Sequence, residues 1–173
     1  MIYFLIILAS VLLDLITKNI ILRTIGIGGQ SITVIENFFY ITCHRNSGAA
    51  WGILQNGRYI LIAVTTVLLA AMVFLIIQIK IKPVRILFSL IIGGAIGNYI
   101  DRILYGGVVD FLDFYIFGYN FPTFNAADSL IVIGSILFLV YVFFFDKELF
   151  EKKTKKVLSE DEDLLKDDLD GDK

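Results

Sequence analysis

Ionisable and amide side chains that could take part in acid–base chemistry lie within or beside long hydrophobic stretches of this chain. They are Asp14, Lys18, Asn98, Asp101, Arg102, Asp110, Asp113, Asn125 and Asp128. An ionisable group at the centre of a bilayer costs about 2.5–3.5 kcal/mol on insertion scales, so such groups usually face the protein interior and serve a function. Two carboxylates placed close together cannot both ionise easily, and one keeps a proton. A pair of aspartates could therefore provide one acid and one base for hydrolysis.

Asp14 and Lys18 are four residues apart, and this spacing places both side chains on one face of a helix. The acid precedes the base, which is the more favourable order for an ion pair. A structural ion pair would explain both residues without any part in chemistry. The alternative is that both residues lie beside an active site and support it.

Asn125 and Asp128 lie where an irregular loop meets the last hydrophobic stretch. Asn125 follows Pro122 and can cap a helix, while Asp128 takes the third position of the first turn. Capping alone would explain both residues. The same geometry also holds a carboxylate rigidly at the outer end of a span, where the helix dipole favours its ionised form.

Asp110 lies in Gly-Gly-Val-Val-Asp-Phe-Leu-Asp-Phe, a stretch too short to span a membrane and too apolar to lie free in water. If this stretch is helical, Asp110 and Asp113 share one side and the aromatic residues lie elsewhere, as in an interfacial segment. Taken alone, it would be a half-buried loop with an acidic edge.

The single cysteine, Cys43, cannot form an intramolecular disulfide. His44 is its neighbour, but neighbouring residues on an extended strand point to opposite faces, which argues against a Cys/His nucleophile. Because His44 is the only histidine, a zinc hydrolase is also disfavoured, and we predict no metal site.

The composition indicates a membrane protein. Hydrophobic residues make up 57% of the 173 residues, against about 45–50% in ordinary soluble domains, and the mean hydropathy is +0.80. Since a span needs about 20 apolar residues as a helix, we predict four spans at about 2–22, 58–79, 84–104 and 125–145. No basic residue precedes the first, so we interpret it as a retained span and not as a cleaved signal peptide.

Basic residues near the span ends predict the orientation, because short cytoplasmic loops carry an excess of Lys and Arg. Lys80, Lys82 and Arg85 lie in or beside the short link between the second and third spans, and a lysine-rich segment follows the fourth. Both termini should therefore be cytoplasmic, and the loops 23–57 and 105–124 should face outward. We divide the chain into a membrane domain, 1–146, and a charged tail, 147–173, which its composition predicts to be disordered.

Two local patterns add to this outline. Gly93 and Gly97 form a G-x-x-x-G, which is typical of closely packed membrane helices. In the first outward loop, residues 32–35 and 38–40 are β-branched and aromatic, which predicts short strands.

Five stretches, in this order, resemble the motifs of lipoprotein signal peptidase, also called signal peptidase II. They are DLITK (14–18), RNSGAAW (45–51), GGAIGNYIDR (93–102), GVVDFLDF (107–114) and FNAADS (124–129). The resemblance extends from about residue 10 to residue 135. Trp51 is the main departure, since Phe is more usual there.

The resemblance implies an all-α membrane protein with four transmembrane helices, a small extracytoplasmic β-sheet and an interfacial helix or loop. It implies that Asp110 and Asp128 are a catalytic pair. Other residues would bind substrate or brace the site, namely Asp14, Lys18, Asn46, Gly48, Asn98, Arg102 and Asn125. We add the hypothesis that the proton shared by the pair lies mainly on Asp110, because Asp128 begins a helix.

The implied reaction is amide hydrolysis without cofactor or covalent intermediate, just before a diacylglyceryl-modified cysteine of a prolipoprotein. It would take place at the outer face of the bacterial cytoplasmic membrane. The expected partners are these precursors and membrane lipids, with no nucleic acid, and we expect a monomer.

Two other classes of protein are alternatives to a peptidase. Buried Asp, Asn and Lys also mark ion paths, which would suit a small ion- or proton-coupled transporter. Against a transporter, the four spans show no repeats or paired discontinuous helices, and the acidic residues concentrate near the outer surface. A non-catalytic membrane scaffold would leave the two outer aspartates unexplained.

Overall fold

A computed structural model gives the fold and describes residues 1–48, 53–55 and 57–145. Its elements, in chain order, are α1 (Ile2–Thr24), β1 (Ile32–Ile35), β2 (Phe39–Asn46), α2 (Arg58–Gln78), α3 (Lys82–Tyr105), β3 (Val108–Ile116), β4 (Tyr119–Asn120) and α4 (Ala126–Phe145). The chain divides into two compact units, Met1–Ile136 and Leu137–Lys173. Within the second unit, the structure describes residues 137–145, which form the end of α4. The predicted tail and the departure at Trp51 lie outside the described residues.

The helices α1 to α4 coincide with the four predicted spans. Each is long and apolar enough to cross a membrane, and between 6% and 39% of each span is buried within the protein. The buried residues of α1 are polar, namely Ser10, Asp14 and Lys18. Apolar side chains such as Leu12 and Ile16 are instead exposed, as lipid contact requires. The prediction of four spans is confirmed.

Small residues bring α1 and α4 close to α3. A side chain at Gly93 would overlap Ser10 of α1, and a side chain at Gly97 would overlap Asp14. On the next face of α3, a Cβ atom at Gly94 would lie 2.5 Å from the carbonyl oxygen of Ala127 in α4. The G-x-x-x-G is therefore a packing face, as predicted, and it lets polar groups on three helices meet.

The four strands form one antiparallel sheet in the order β1-β2-β3-β4. The predicted strand at 32–35 is confirmed as β1. The second strand continues well beyond residue 40, as far as Asn46, and pairs with β3 over most of its length, including Tyr40 with Asp113 and His44 with Asp110. It therefore carries Cys43, His44 and Asn46 past Asp110.

The helical alternative for the stretch around Asp110 is wrong, because residues 108–116 are strand β3. Successive side chains of a strand point to opposite faces, so Asp110 and Asp113, three positions apart, do not share a side. Pairing with β2 satisfies the backbone of this apolar segment, which an isolated interfacial loop could not do. The segment that contains Asp110 is thus part of the sheet.

Candidate active site

Strand β3 and helix α4 bring Asp110 and Asp128 to one cavity of about 880 Å³. Asp110 is the third residue of β3, and Asp128 is the third residue of α4. The polar wall of this cavity also includes Asn46, Asn98 and Arg102. The two aspartates that the resemblance singles out therefore face the same space, although 17 residues separate them in sequence.

Asn125 joins the two carboxylates. Its side-chain oxygen accepts the backbone N–H of Asp128 at 2.9 Å, and its own backbone N–H donates to Oδ2 of Asp128 at 3.2 Å. This reciprocal pair is a capping box, as the sequence predicts. The amide nitrogen of Asn125 donates to Oδ1 of Asp110 at 2.7 Å. One residue thus begins the helix and holds both aspartates.

Two further amides complete the hydrogen bonding of the pair. Asn46 donates to Oδ2 of Asp110 at 2.9 Å, and Asn98 donates to Oδ1 of Asp128 at 2.7 Å. Each of the four carboxylate oxygens therefore accepts one N–H. The side-chain oxygen of Asn46 accepts the backbone N–H of Gly48 at 3.0 Å, which fixes the turn after β2.

The orientation of the side-chain amides of Asn98 and Asn125 follows from the groups that bind their oxygen atoms, because those groups can act only as donors. An ammonium group has no acceptor, and Lys18 donates to the side-chain oxygen of Asn98 at 2.9 Å. The amide nitrogen of Asn98 must therefore point the other way, toward Asp128. In the same manner the backbone N–H of Asp128 occupies the oxygen of Asn125, so the Asn125 amide turns its nitrogen to Asp110.

Burial is the main influence on the acidity of Asp110, whose side chain is only 4% exposed. Burial, together with the negative charge of Asp128, raises the pKa of Asp110 to about 6. The hydrogen bonds from Asn46 and Asn125 oppose this rise. A carboxyl group with this pKa can hold a proton near neutral pH and release it, as a general acid must.

Behind the pair lies a buried ion cluster around Lys18. The Lys18 ammonium lies 2.6 Å from Asp14 and 3.0 Å from Asp101, and all three residues are at most 3% exposed. The second oxygen of Asp14 accepts the backbone N–H of Ala127 at 3.0 Å. The predicted ion pair is confirmed, and it connects α1 with α3 and with the first turn of α4.

Arg102 lines the cavity and donates to the backbone carbonyls of Asn98 and Gly48, both at 3.3 Å. It therefore connects α3 to the turn that Asn46 caps. A Cβ atom at Gly48 would lie 2.7 Å from the carbonyl oxygen of Ile53. Arg102 and Gly48 thus contact each other at the turn that follows Asn46.

Sequence reasoning missed two residues of this region. Asp101 appeared among the polar candidates but not in the expected site, and its role as the second carboxylate on Lys18 depends on a contact between helices that no local pattern reveals. The sequence suggests for His44 only a pairing with Cys43, yet His44 lines the cavity. The period-2 spacing of His44 and Asn46 on one strand could have indicated their common face.

The structure does not bring Cys43 or Asp113 to the cavity. Cys43 is buried, and burial raises the pKa of its thiol, which disfavours a nucleophilic thiolate. Asp113 is also buried, and burial raises its pKa. Among the residues that the structure describes, no three His, Cys, Asp or Glu side chains are placed to hold a metal ion.

Comparison with known proteins places this chain in a family. The family model described as signal peptidase (SPase) II matches residues 6–144. A lipoprotein signal peptidase of Staphylococcus carnosus (strain TM300) is 47% identical over 140 residues, which are 79% of this chain and 87% of that protein.

Two solved structures, each described as a bacterial membrane enzyme, have the same fold. One has a TM-score of 0.77 at 42% identity and covers 84% of this chain and 90% of its own. The other has a TM-score of 0.72 at 44% identity, with 83% and 93% covered. The likeness to these two structures therefore covers more than four fifths of this chain.

Proposed function

This chain belongs to the signal peptidase II family, and we propose that Asp110 and Asp128 are the catalytic pair of its aspartic peptidase activity. The protein removes signal peptides from lipoproteins. The observation that carries the residue assignment is the linkage of two carboxylates by Asn125 on the wall of one cavity. The raised pKa of Asp110 supports it, because an aspartic peptidase needs one protonated and one ionised carboxyl group.

In the proposed mechanism, Asp128 is ionised and Asp110 carries the proton. Asp128 takes a proton from a water molecule, whose oxygen bonds to the scissile carbonyl carbon, while Asp110 gives its proton to the carbonyl oxygen. The tetrahedral intermediate then breaks. Asp128 returns its proton to the leaving nitrogen, and Asp110 takes one from the intermediate, which restores the starting state. No covalent enzyme intermediate forms.

The remaining expected residues are proposed to position this pair. Asn98 and Asn125 aim N–H groups at the carboxylates and fix their rotamers. Asn46 fixes Asp110 from the neighbouring strand, while Gly48 and Arg102 hold the turn beside it. Asp14 and Lys18 would act indirectly, because they hold together the helices that carry Asn98 and Asp128.

The proposed substrate is a lipoprotein precursor whose cysteine carries a diacylglyceryl group. The cavity supports this, because one wall is polar and another is formed by Ile131, Val132 and Ile133 of α4. Val132 and Ile133 are also more than half exposed, as residues that face lipid are. A peptide bond could therefore lie at the carboxylates while the attached acyl chains stay in the bilayer.

We propose that both termini are cytoplasmic and that the site lies at the outer face of the membrane. Lys80, Lys82 and Arg85 lie at or near the start of α3, whereas Asn98 and Arg102 lie near its other end. The positive-inside rule then places the aspartates outside. Cysteine labelling from outside should reach position 115 and not position 82. External labelling at position 82 would reverse the orientation.

Incubation of the purified chain in micelles with a diacylglyceryl-modified precursor peptide tests the proposed substrate. We expect mass spectrometry to detect a product that begins at the modified cysteine. An unmodified precursor of the same sequence is the matched control, and it should remain intact. Equal cleavage of both peptides would refute the lipid requirement.

A further inference from the structure

Both hairpin turns of the sheet lie at the end far from the aspartate pair. The turn between β1 and β2 comprises residues 36–38, and the turn between β3 and β4 comprises residues 117–118. They are neighbours, since the backbone N–H of Tyr115 donates to the carbonyl of Phe38 at 2.8 Å. Ile116 lies six positions beyond Asp110 in β3, or about 20 Å at a strand's rise of about 3.3 Å per residue.

The two turns require the same backbone conformation but use different residues for it. Asn37 has a φ of 59° and Phe117 a φ of 51°, both in the left-handed region. Asparagine tolerates this region, whereas a bulky side chain there is a genuine outlier. The hairpin Phe117-Gly118 stands where Asn-Gly would form the turn with less strain.

The ring of Phe117 does not pack against the rest of the protein, because this side chain is fully exposed. An aromatic residue that opposes its local backbone preference and lacks burial indicates a contact outside the chain. The hydrophobic side chains near Phe117 are exposed as well. Ile35, Phe38, Ile116 and Tyr119 are each more than 40% exposed.

We propose that this turn-end patch, formed by Ile35, Phe38, Ile116, Phe117 and Tyr119, inserts into the lipid interface on the side of the membrane that holds the active site. The patch continues into the membrane domain, because five residues join β4 to α4. No charged residue occurs from position 114 to position 127. Aromatic side chains prefer the interfacial layer, and insertion there would seat the sheet that carries Asn46 and Asp110.

The insertion is shallow and is led by the second turn. Glu36 lies in the first turn and is exposed, so that turn stays at the level of the headgroups, where a carboxylate remains hydrated. Phe117 lies in a turn without any charge and reaches deepest. This inference does not rest on the catalytic roles of Asp110 and Asp128.

Tryptophan fluorescence in lipid vesicles tests the proposal with the full chain. The sequence contains one tryptophan, Trp51, so Phe117→Trp in a Trp51→Phe background carries a single reporter. We expect strong quenching by phospholipids brominated on their acyl chains and weak quenching by iodide in the buffer. Gln30→Trp in the same background, at the opposite end of β1, is the matched control and should show the reverse.

Strong iodide quenching of the Phe117→Trp variant, with no more lipid quenching than the control, would overturn the proposal. Weak quenching by both agents would also overturn it, because the ring would then be covered by protein, such as a second copy of the chain. Phe117→Asn provides an independent test, since asparagine suits this backbone. Its thermal midpoint in detergent should equal or exceed that of the wild type, and a lower midpoint would show that the fold itself needs the ring.

Discussion

Two groups of carboxylates lie side by side in this protein, one fully buried and one on a cavity wall, and they differ in what stabilises their charge. In the inner cluster, Asp14 and Asp101 share the ammonium of Lys18. In the outer pair, Asp110 and Asp128 accept hydrogen bonds from amide N–H groups. The inner cluster is closed to solvent, whereas the outer pair lines a cavity.

This difference explains how aspartates in two neighbouring groups can behave differently. A carboxylate in contact with a buried cation is held in place by that cation, because removal of either charge would leave the other unpaired in the interior. A carboxylate held by neutral amides can gain or lose a proton at moderate cost. Asn98 joins the two groups, since it accepts from Lys18 and donates to Asp128. The inner cluster thus orients a donor of the outer pair.

Removal of the cation should have the largest effect on folding. Lys18→Met leaves Asp14 and Asp101 without their shared partner, and breaking a buried ion pair in this way costs about 3–5 kcal/mol. We expect the thermal midpoint in detergent to fall by about 10 °C or more. The triple variant Asp14→Asn, Lys18→Met, Asp101→Asn removes the charges together and should recover much of the loss. A triple variant as unstable as Lys18→Met would show that the inner cluster is not mainly electrostatic.

The sequence predicts those parts of this arrangement that depend on neighbours along the chain. The spans follow from runs of apolar residues, the Asp14–Lys18 pair from a four-residue spacing, and the capping box from Asn125 and Asp128. Asp101 and the strand at Asp110 depend on contacts with distant segments. The stretch 108–116 pairs with β2, whose partner residues lie 62 to 75 positions earlier, and hydrophobicity alone does not distinguish such a strand from a short interfacial helix.

Asn125 offers a way to separate the chemical and structural roles of the outer pair. Asn125→Ser keeps an oxygen that can cap α4 but loses the amide that donates to Asp110, whereas Asn125→Ala loses both. A hydrogen bond to a charged group contributes about 1.5–3 kcal/mol, so both variants should lose about 10- to 100-fold in kcat. The free energy of unfolding should be about 1 kcal/mol lower in Asn125→Ala than in Asn125→Ser, because alanine cannot cap the helix. Normal kcat in Asn125→Ser would remove the bridge from the mechanism.

A smaller effect is expected on the pH dependence of stability. The pKa of Asp110 is raised from 3.8 to about 6 in the folded protein, so the unfolded chain releases this proton at lower pH. Stability should therefore decrease as pH rises from about 4 to about 6, and the loss persists above that range. Asp110→Asn removes the carboxylate and should raise the thermal midpoint by a few degrees at pH 8 but not at pH 4. An equal shift at both values would contradict the assignment.

Cleavage by aspartate variants tests the central claim most directly. Asp110→Asn and Asp128→Asn keep shape and hydrogen-bonding capacity but remove the titrating group, so each should lower cleavage of a lipidated precursor by at least about 10²- to 10⁴-fold. Because the two residues act as one unit, the double variant should be scarcely slower than either single one. Asp113→Asn, on the opposite face of β3, is the matched control and should cleave at nearly the wild-type rate. Near-normal cleavage by folded Asp110→Asn or Asp128→Asn would contradict the account.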